Sequence, residues 1–213
     1  MIFTAIILAA GLSSRMGREK AALPWVGGTT LLEWTVALLV QTGWNPVVVL
    51  GSHNYPLWLP RLPQRQLVHN ARSQSGKITS LAAGVREVPE EEGFFLVTSV
   101  DQPRPGEVYE LLRQVCLQGN DPILVPDRAG RRGHPVVFHN RFRADLMHLS
   151  EATLGMRGFL DGQAGVIRRV PCDPRWLSWD CNTPDTYREA LDWFTEQRAA
   201  SPVSESQKSI DQP

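Results

Sequence analysis

Near the amino terminus stand the groups that a polyphosphate site needs: Gly11, Ser13, Ser14, Arg15, Gly17 and Lys20, in the run Gly-Leu-Ser-Ser-Arg-Met-Gly-Arg-Glu-Lys. The glycines let the backbone bend and approach a ligand, the serines offer hydroxyl donors, and Arg15 and Lys20 bring fixed positive charge. Such a loop can wrap a polyphosphate. It is neither of the two common phosphate loops. A Walker loop needs Gly-x-x-x-x-Gly-Lys-Ser/Thr, whereas Arg18 follows Gly17 here, and the dinucleotide fingerprint needs a glycine where Ser13 stands. The bland alternative is an ordinary turn with exposed basic residues. The rest of the chain decides between them.

Those residues need elements to hold them. Phe3 to Ala10 is a short apolar run, β-branched at its centre and ended by Gly11, as a strand buried on both faces of a parallel sheet would be. Thr30 and Glu33 have capping-box spacing, so a helix is expected from Leu31 to Thr42, closed by Gly43; Val47 to Leu50 is the next strand. Prolines interrupt Tyr55 to Pro63, and Gln66 to His69 forms a strand that places Asn70 at its carboxyl end. Lys77 to Val88 has helical spacing, with Thr79 or Ser80 as cap. Phe94 to Val100 is a strand that ends in Asp101-Gln-Pro103, because proline cannot continue the ladder. In an open parallel sheet ligands bind outside the carboxyl edges of the strands, so Gly11 to Lys20, Asn70 and Asp101 can face one site.

The alternation continues with a helix at Glu107 to Leu117 and a strand at Pro122 to Pro126. The charged loop Asp127 to Gly133 carries Arg128, Arg131 and Arg132 and delivers His134-Pro135 to a strand at Val136 to Phe138. Helical segments are expected over Arg141 to Leu149 and Gly158 to Leu160, then strands at Val166 to Val170 and Leu177 to Asp180. A final helix starts at Pro184 with Thr183 as N-cap and runs to about Gln197. The expectation is one domain over residues 1–198 and a polar, disordered tail over 199–213.

Composition narrows the function. The 213 residues are 42% hydrophobic, with 22 basic and 22 acidic residues, so no global field favours nucleic acid or an anionic membrane. No apolar run is long enough to span a bilayer and no basic segment precedes the first strand, which points to the cytoplasm. Cys116, Cys172 and Cys181 are odd in number and lack Cys-x-x-Cys spacing, against a disulfide framework or a zinc site. The remaining histidines, His53, His69, His139 and His148, have no metal-ligand spacing, and the seven tryptophans follow no periodicity, so both sets read as packing or surface residues.

One family matches the ordered set of motifs. Leu8-Ala-Ala-Gly11, Ser14-Arg-Met-Gly17, Lys20, Leu23-Pro24, Asp101-Gln-Pro103, Gly130-Arg-Arg-Gly-His-Pro135 and Asn182-Thr-Pro184 together resemble the nucleotidyltransferases of the molybdenum cofactor pathway, the cytidylyltransferases most closely. The resemblance implies a single three-layer, Rossmann-like α/β domain with a mostly parallel sheet, of the nucleotide-diphospho-sugar transferase type. It also implies a Mg²⁺-dependent reaction of CTP, or GTP, with a molybdopterin-type cofactor to give a dinucleotide and pyrophosphate, with a molybdenum hydroxylase as a downstream partner.

The same resemblance implies roles. Lys20, Arg15 and Asp101 would be catalytic, with Leu8, Ala9, Ala10, Gly11, Leu12, Ser13, Ser14 and Gly17 around the nucleotide. Asn70, Gly76 and Ser80 would lie at the base or ribose, and Arg132, Gly133 and His134 at the acceptor. Asp101 would hold the metal, with either Asn182, where relatives often have Asp, or Asp180 closing its site. Ala10 and His134 favour CTP over GTP. Transfer to a sugar phosphate, or a non-enzymatic role in cofactor delivery, are the competing readings on the same fold.

Overall fold

Successive residues of β1 (Ile2–Leu8) are buried on opposite faces: Phe3, Ala5 and Ile7 join one core, Ile6 the other. β4 (Gly93–Ser99) does the same with Phe94 and Leu96 against Phe95 and Val97. A strand apolar on both faces must be covered on both, and it is. The first core is closed by α1 (Leu31–Gln41), α4 (Gly106–Gln118) and α7 (Pro184–Ala200) through Leu31, Leu39, Val108, Leu112, Ala190 and Phe194. The second is closed by α3 (Lys77–Arg86), α5 (Arg143–Met147) and α6 (Gly155–Gly162) through Leu81, Val85, Leu146 and Leu160. The result is three layers. This computed structural model describes residues 1–13, 16–62, 66–119, 121–128 and 130–200.

The sheet adds β2 (Asn45–Gly51), β3 (Gln66–Asn70), β5 (Ile123–Arg128), β6 (Arg131–Arg132), β7 (Val136–His139) and β8 (Ile167–Pro171). Its order is β3-β2-β1-β4-β7-β5-β6, with β8 paired to β5. β3, β2, β1 and β4 are mutually parallel, as are β5 and β8, while β7 runs antiparallel between β4 and β5. Helix α1 is set by its sequence: the Thr30 hydroxyl accepts from Glu33 N at 3.3 Å while Glu33 accepts from Thr30 N at 2.9 Å, the expected capping box. Thr183 likewise caps α7, accepting from Thr186 N at 3.3 Å with Pro184 next in line.

Four expectations change. The short proline-rich stretch after β2 contains a helical turn, α2 (Tyr55–Trp58). Residues 177–180 are not a strand, because Asp173 accepts from Arg175 N at 2.9 Å and starts the 3-10 turn Pro174–Leu177. Neither Thr79 nor Ser80 caps α3, since both hydroxyls are engaged elsewhere. Gly76 takes the N-cap position at φ +115°, and Glu151 Oε1 accepts from Ile78 N at 3.3 Å. Finally, α7 continues to Ala200, and the tail beyond it lies outside the described residues.

The loop Asp127 to Gly133 belongs to a hairpin with a bulge. Asp127 pairs with Arg132 and Leu124 with Val137, so Val125 and Pro126 on β5 face the longer stretch Gly133 to Val136 on the returning chain. The surplus lies at Gly133 to Pro135, where the His134-Pro135 peptide is cis and the strand leaves the ladder. That departure carries His134 towards the carboxyl edge of β4. Among the described residues no helix is long and apolar enough to cross a membrane.

Candidate active site

The carboxyl ends of β1 and β4 lie side by side, with Leu8 paired to Ser99 and Val100 N donating to Leu8 O at 3.1 Å. The loops that leave these two strands therefore share one edge of the sheet. After β1 the chain turns at Ser13, φ +52°, and the Ser13 hydroxyl accepts from Lys20 N at 3.1 Å. This folds the loop back and starts the short 3-10 turn Lys20–Ala22. The Lys20 ammonium then donates to Asp101 Oδ2 and Asn182 Oδ1, each at 2.7 Å. The Asn182 backbone is fixed beside it: its N–H donates to Asp180 O at 2.8 Å and to Thr186 Oγ1 at 3.2 Å, and the preceding Cys181 N donates to Asp101 O at 2.7 Å.

These side chains stand at a cavity of about 570 Å³ whose walls include Leu8 to Ser13, Lys20, Gly76, Ser80, Asp101, His134 and Asn182. The Lys20 and Asp101 side chains are only 12% and 18% exposed. Burial alone would raise the pKa of Asp101. The hydrogen bonds from Lys20 and Ser99 and the charges of Lys20 and Lys77 outweigh it, so the carboxyl sits below its ordinary range and is ionised. For His134 burial acts in the other sense, because its charged form is the protonated one. Burial first, then the positive charge of Arg104, lowers its pKa and keeps the imidazole neutral near pH 7. The site thus pairs a fixed cation with a fixed anion and a neutral donor-acceptor ring.

A model of the MobA-like NTP transferase domain matches residues 5–168. The chain belongs to this family. As a MobA-like NTP transferase it is a nucleotidyltransferase. It is 28% identical to the molybdenum cofactor cytidylyltransferase of Escherichia coli over 90% of this chain and 96% of the relative. It is 34% identical to a probable molybdenum cofactor guanylyltransferase of Mycobacterium bovis over 81% of this chain and 86% of the relative. The fold is that of a Mycobacterium tuberculosis protein, 24% identical over 90% of this chain and 98% of that one, at TM-score 0.77. A structure of that protein in complex with manganese, 22% identical over 90% of this chain and 99% of that one, gives 0.69.

The MobA-like frame brings most, though not all, of the expected residues to the cavity. Leu8, Ala9, Ala10, Gly11, Leu12, Ser13, Gly76 and Ser80 line it with Lys20, Asp101, His134 and Asn182. Ser14 and Arg15 lie outside the described residues. Gly17 is in the exposed turn after them and does not line the cavity. Asn70 is one layer behind: its amide donates to Ser80 Oγ at 2.9 Å and Thr79 Oγ1 at 3.0 Å, so it is bonded to the lining residue Ser80 and does not itself line the cavity. Gly133 is packed into the bulge with its N–H on Pro126 O at 2.8 Å, and Arg132 points away to pair with Asp161. Both belong to the edge hairpin, and among the described residues of that loop His134 is the one that reaches the cavity. Asp180 also turns away, towards Arg104 at 3.4 Å, so Asn182 is the residue facing Lys20.

Sequence reasoning passed over several residues. Lys77 lines the cavity, and its charge acts on both Asp101 and His134. The helix boundary right after Gly76 was a signal for it. Asn54 had none beyond a polar residue after β2. It is fully buried, accepts from Gly51 N at 2.9 Å, and donates to Ala9 O at 2.9 Å and to Glu19 Oε1 at 2.8 Å. Trp58 of α2 adds a bond to the same Glu19 oxygen at 3.0 Å. Residues of the β2 end thereby clamp the base of the Lys20 loop. Asn54→Ala would take this partner from the buried Gly51 N and Ala9 O and leave Glu19 to Trp58, and we expect it to lower stability by about 2–3 kcal/mol in urea unfolding. A loss below about 0.5 kcal/mol would show that the clamp is dispensable.

Proposed function

We propose that the protein is a molybdenum cofactor nucleotidyltransferase that moves CMP from CTP to the terminal phosphate of a molybdopterin-type cofactor and releases pyrophosphate. The observation that carries this reading is the Lys20 ammonium, bound at 2.7 Å by both Asp101 and Asn182 where the Gly11–Ser13 loop meets the cavity of His134. A triphosphate on the loop would place its α-phosphorus near Lys20. An acceptor phosphate oxygen then forms a bond to that phosphorus while the bond to the bridging oxygen breaks, and pyrophosphate leaves with the electron pair. Lys20 neutralises the charge that builds on the α-phosphate and the leaving group. The acceptor phosphate is already an anion near neutral pH, so no residue has to remove a proton. Neutral His134 offers a hydrogen bond on the acceptor side.

The same oxygens fit a divalent metal. Lys20 is itself a cation held between one carboxylate and one amide oxygen, both hard donors of the kind that Mg²⁺ or Mn²⁺ accepts alongside phosphate and water oxygens. Bound to Asp101 and Asn182, Mg²⁺ would act as a Lewis acid on the phosphate oxygens. The manganese complex of the Mycobacterium tuberculosis protein of the same fold supports a metal in this role.

CTP is favoured because Ala10 and His134, the two positions that carry the cytosine-type resemblance, both line the cavity. Guanylyl transfer is the second reading, favoured by the likeness to the Mycobacterium bovis relative. Free cysteines at Cys116, Cys172 and Cys181 support a reducing compartment such as the cytoplasm. The test is a matrix of nucleoside triphosphates against acceptors with pyrophosphate as readout. We expect turnover with CTP and the pterin acceptor. A preference for GTP would move the base assignment, and turnover on sugar 1-phosphates with none on the pterin would overturn the acceptor.

A further inference from the structure

Arg104 is 2% exposed and comes after the Asp101-Gln-Pro turn between two prolines, Pro103 and Pro105, whose rings fix the local backbone. Its guanidinium reaches three separate segments. Nε donates to His134 O at 3.1 Å, Nη1 donates to Pro103 O at 2.8 Å and to Trp179 O, and Nη2 lies 3.4 Å from Asp180 Oδ1. Each segment carries one wall of the site: Asp101 stands two residues before Pro103, His134 is itself bound, and Asn182 stands two residues after Asp180. A buried charge is costly, and hydrophobic residues of similar size often stabilise a fold as well or better, so retention of this one asks for a geometric reason.

We propose that Arg104 is a positioning residue for nucleotidyl transfer, fixing the acceptor-side His134 at its working distance from the Asp101–Asn182 edge. The inference rests on the transferase reading above. The planar fork supplies donors in diverging directions, which a lysine ammonium, a single atom with three donors, cannot match. The triphosphate loop has anchors of its own in Ser13, Asn54 and Glu19. Loss of Arg104 should therefore damage acceptor use and turnover more than nucleotide binding. Asp180 supplies the countercharge and leaves Asn182 to the active site.

The test uses the full chain carrying Arg104→Lys and Arg104→Met, assayed with CTP, pterin acceptor and Mg²⁺ below the melting temperature of each variant, with cooperative melting checked by circular dichroism. Both variants should lose about a hundredfold in kcat, with a raised acceptor KM and a nucleotide KM within about threefold of wild type, since small misplacements of reacting groups cost about this much. Millimolar guanidinium should restore part of the kcat of Arg104→Met and none of that of Arg104→Lys. Wild-type kcat in either variant, a rise confined to the nucleotide KM, or loss of cooperative melting in both would overturn the proposal. Absence of transfer by the wild type would instead defeat the transferase reading itself, which separates the two failures.

Discussion

Lys20→Ala should lower kcat for nucleotidyl transfer by a factor on the order of 10²–10³, the usual cost of removing one preorganised group that meets developing charge. Geometry makes this position hard to substitute. Lys20 stands at the start of a 3-10 turn whose first N–H is held by Ser13, and its ammonium is directed by two oxygens at 2.7 Å. The same arrangement predicts a second, opposite effect. Asp101 and Asn182 cannot give the same lone pairs to an ammonium and a divalent cation together, so removing the ammonium should free them. In Lys20→Gln we expect Mn²⁺ to bind several-fold more tightly than in wild type without nucleotide, read by titration with electron paramagnetic resonance, while turnover is lost. Weaker Mn²⁺ binding, or turnover near wild type, would contradict the role assigned to Lys20.

Asp101→Asn is the second large effect. The substitution keeps the shape and removes the charge, and a loss of roughly 10²–10³ in kcat is expected because a divalent cation held at Asp101 would lose that carboxylate ligand. Stability should fall too, by about 1–3 kcal/mol at pH 7, since Lys20 loses its charged partner. The pH dependence has a defined sign. The folded pKa of Asp101 lies below the ordinary value of 3.8, so on acidification the unfolded chain takes up the proton first. The stabilisation from ionised Asp101 is thus present above the ordinary carboxylate pKa, and it disappears as pH falls through the folded pKa. Wild type and Asp101→Asn should differ in unfolding free energy at pH 7 and converge in acid. A constant gap down to the lowest pH at which both fold would sink the assignment, as would Mg²⁺-dependent turnover in the variant.

Local chemistry explains what could be read from the sequence. The Thr30–Glu33 box, the Thr183-Pro184 start and the two-faced apolar strands are each decided within a few residues, and the structure has them. Lys20 and Asp101 were legible because glycine, proline and strand ends punctuate their segments, and a parallel sheet collects such ends on one edge. His134 could be placed, but not the bulge that detaches it from Arg132 and Gly133. The two polar anchors, Asn54 and Arg104, were not legible at all. Most of their bonds run to backbone atoms, some on segments far away in sequence, as from Arg104 to Trp179, 75 residues on, and no local pattern encodes that. The partners of Asn70 and Asp180 were hidden for the same reason: a polar residue at a strand end or before a helix carries no local sign that it will bond to Ser80 or Arg104.

We propose that a nucleotidyl group is transferred with metal assistance in the cavity between the Gly11–Ser13 loop and His134, under the charge of Lys20. The transfer is followed by the fate of label from α-³²P CTP incubated with Mg²⁺, the pterin acceptor and either wild type, Lys20→Ala or Asp101→Asn. Wild type should place label in the pterin product, with one pyrophosphate per product, and either variant should place almost none there. Label transferred equally by all three proteins, or retained in free CMP without pterin product, would contradict transfer at this site.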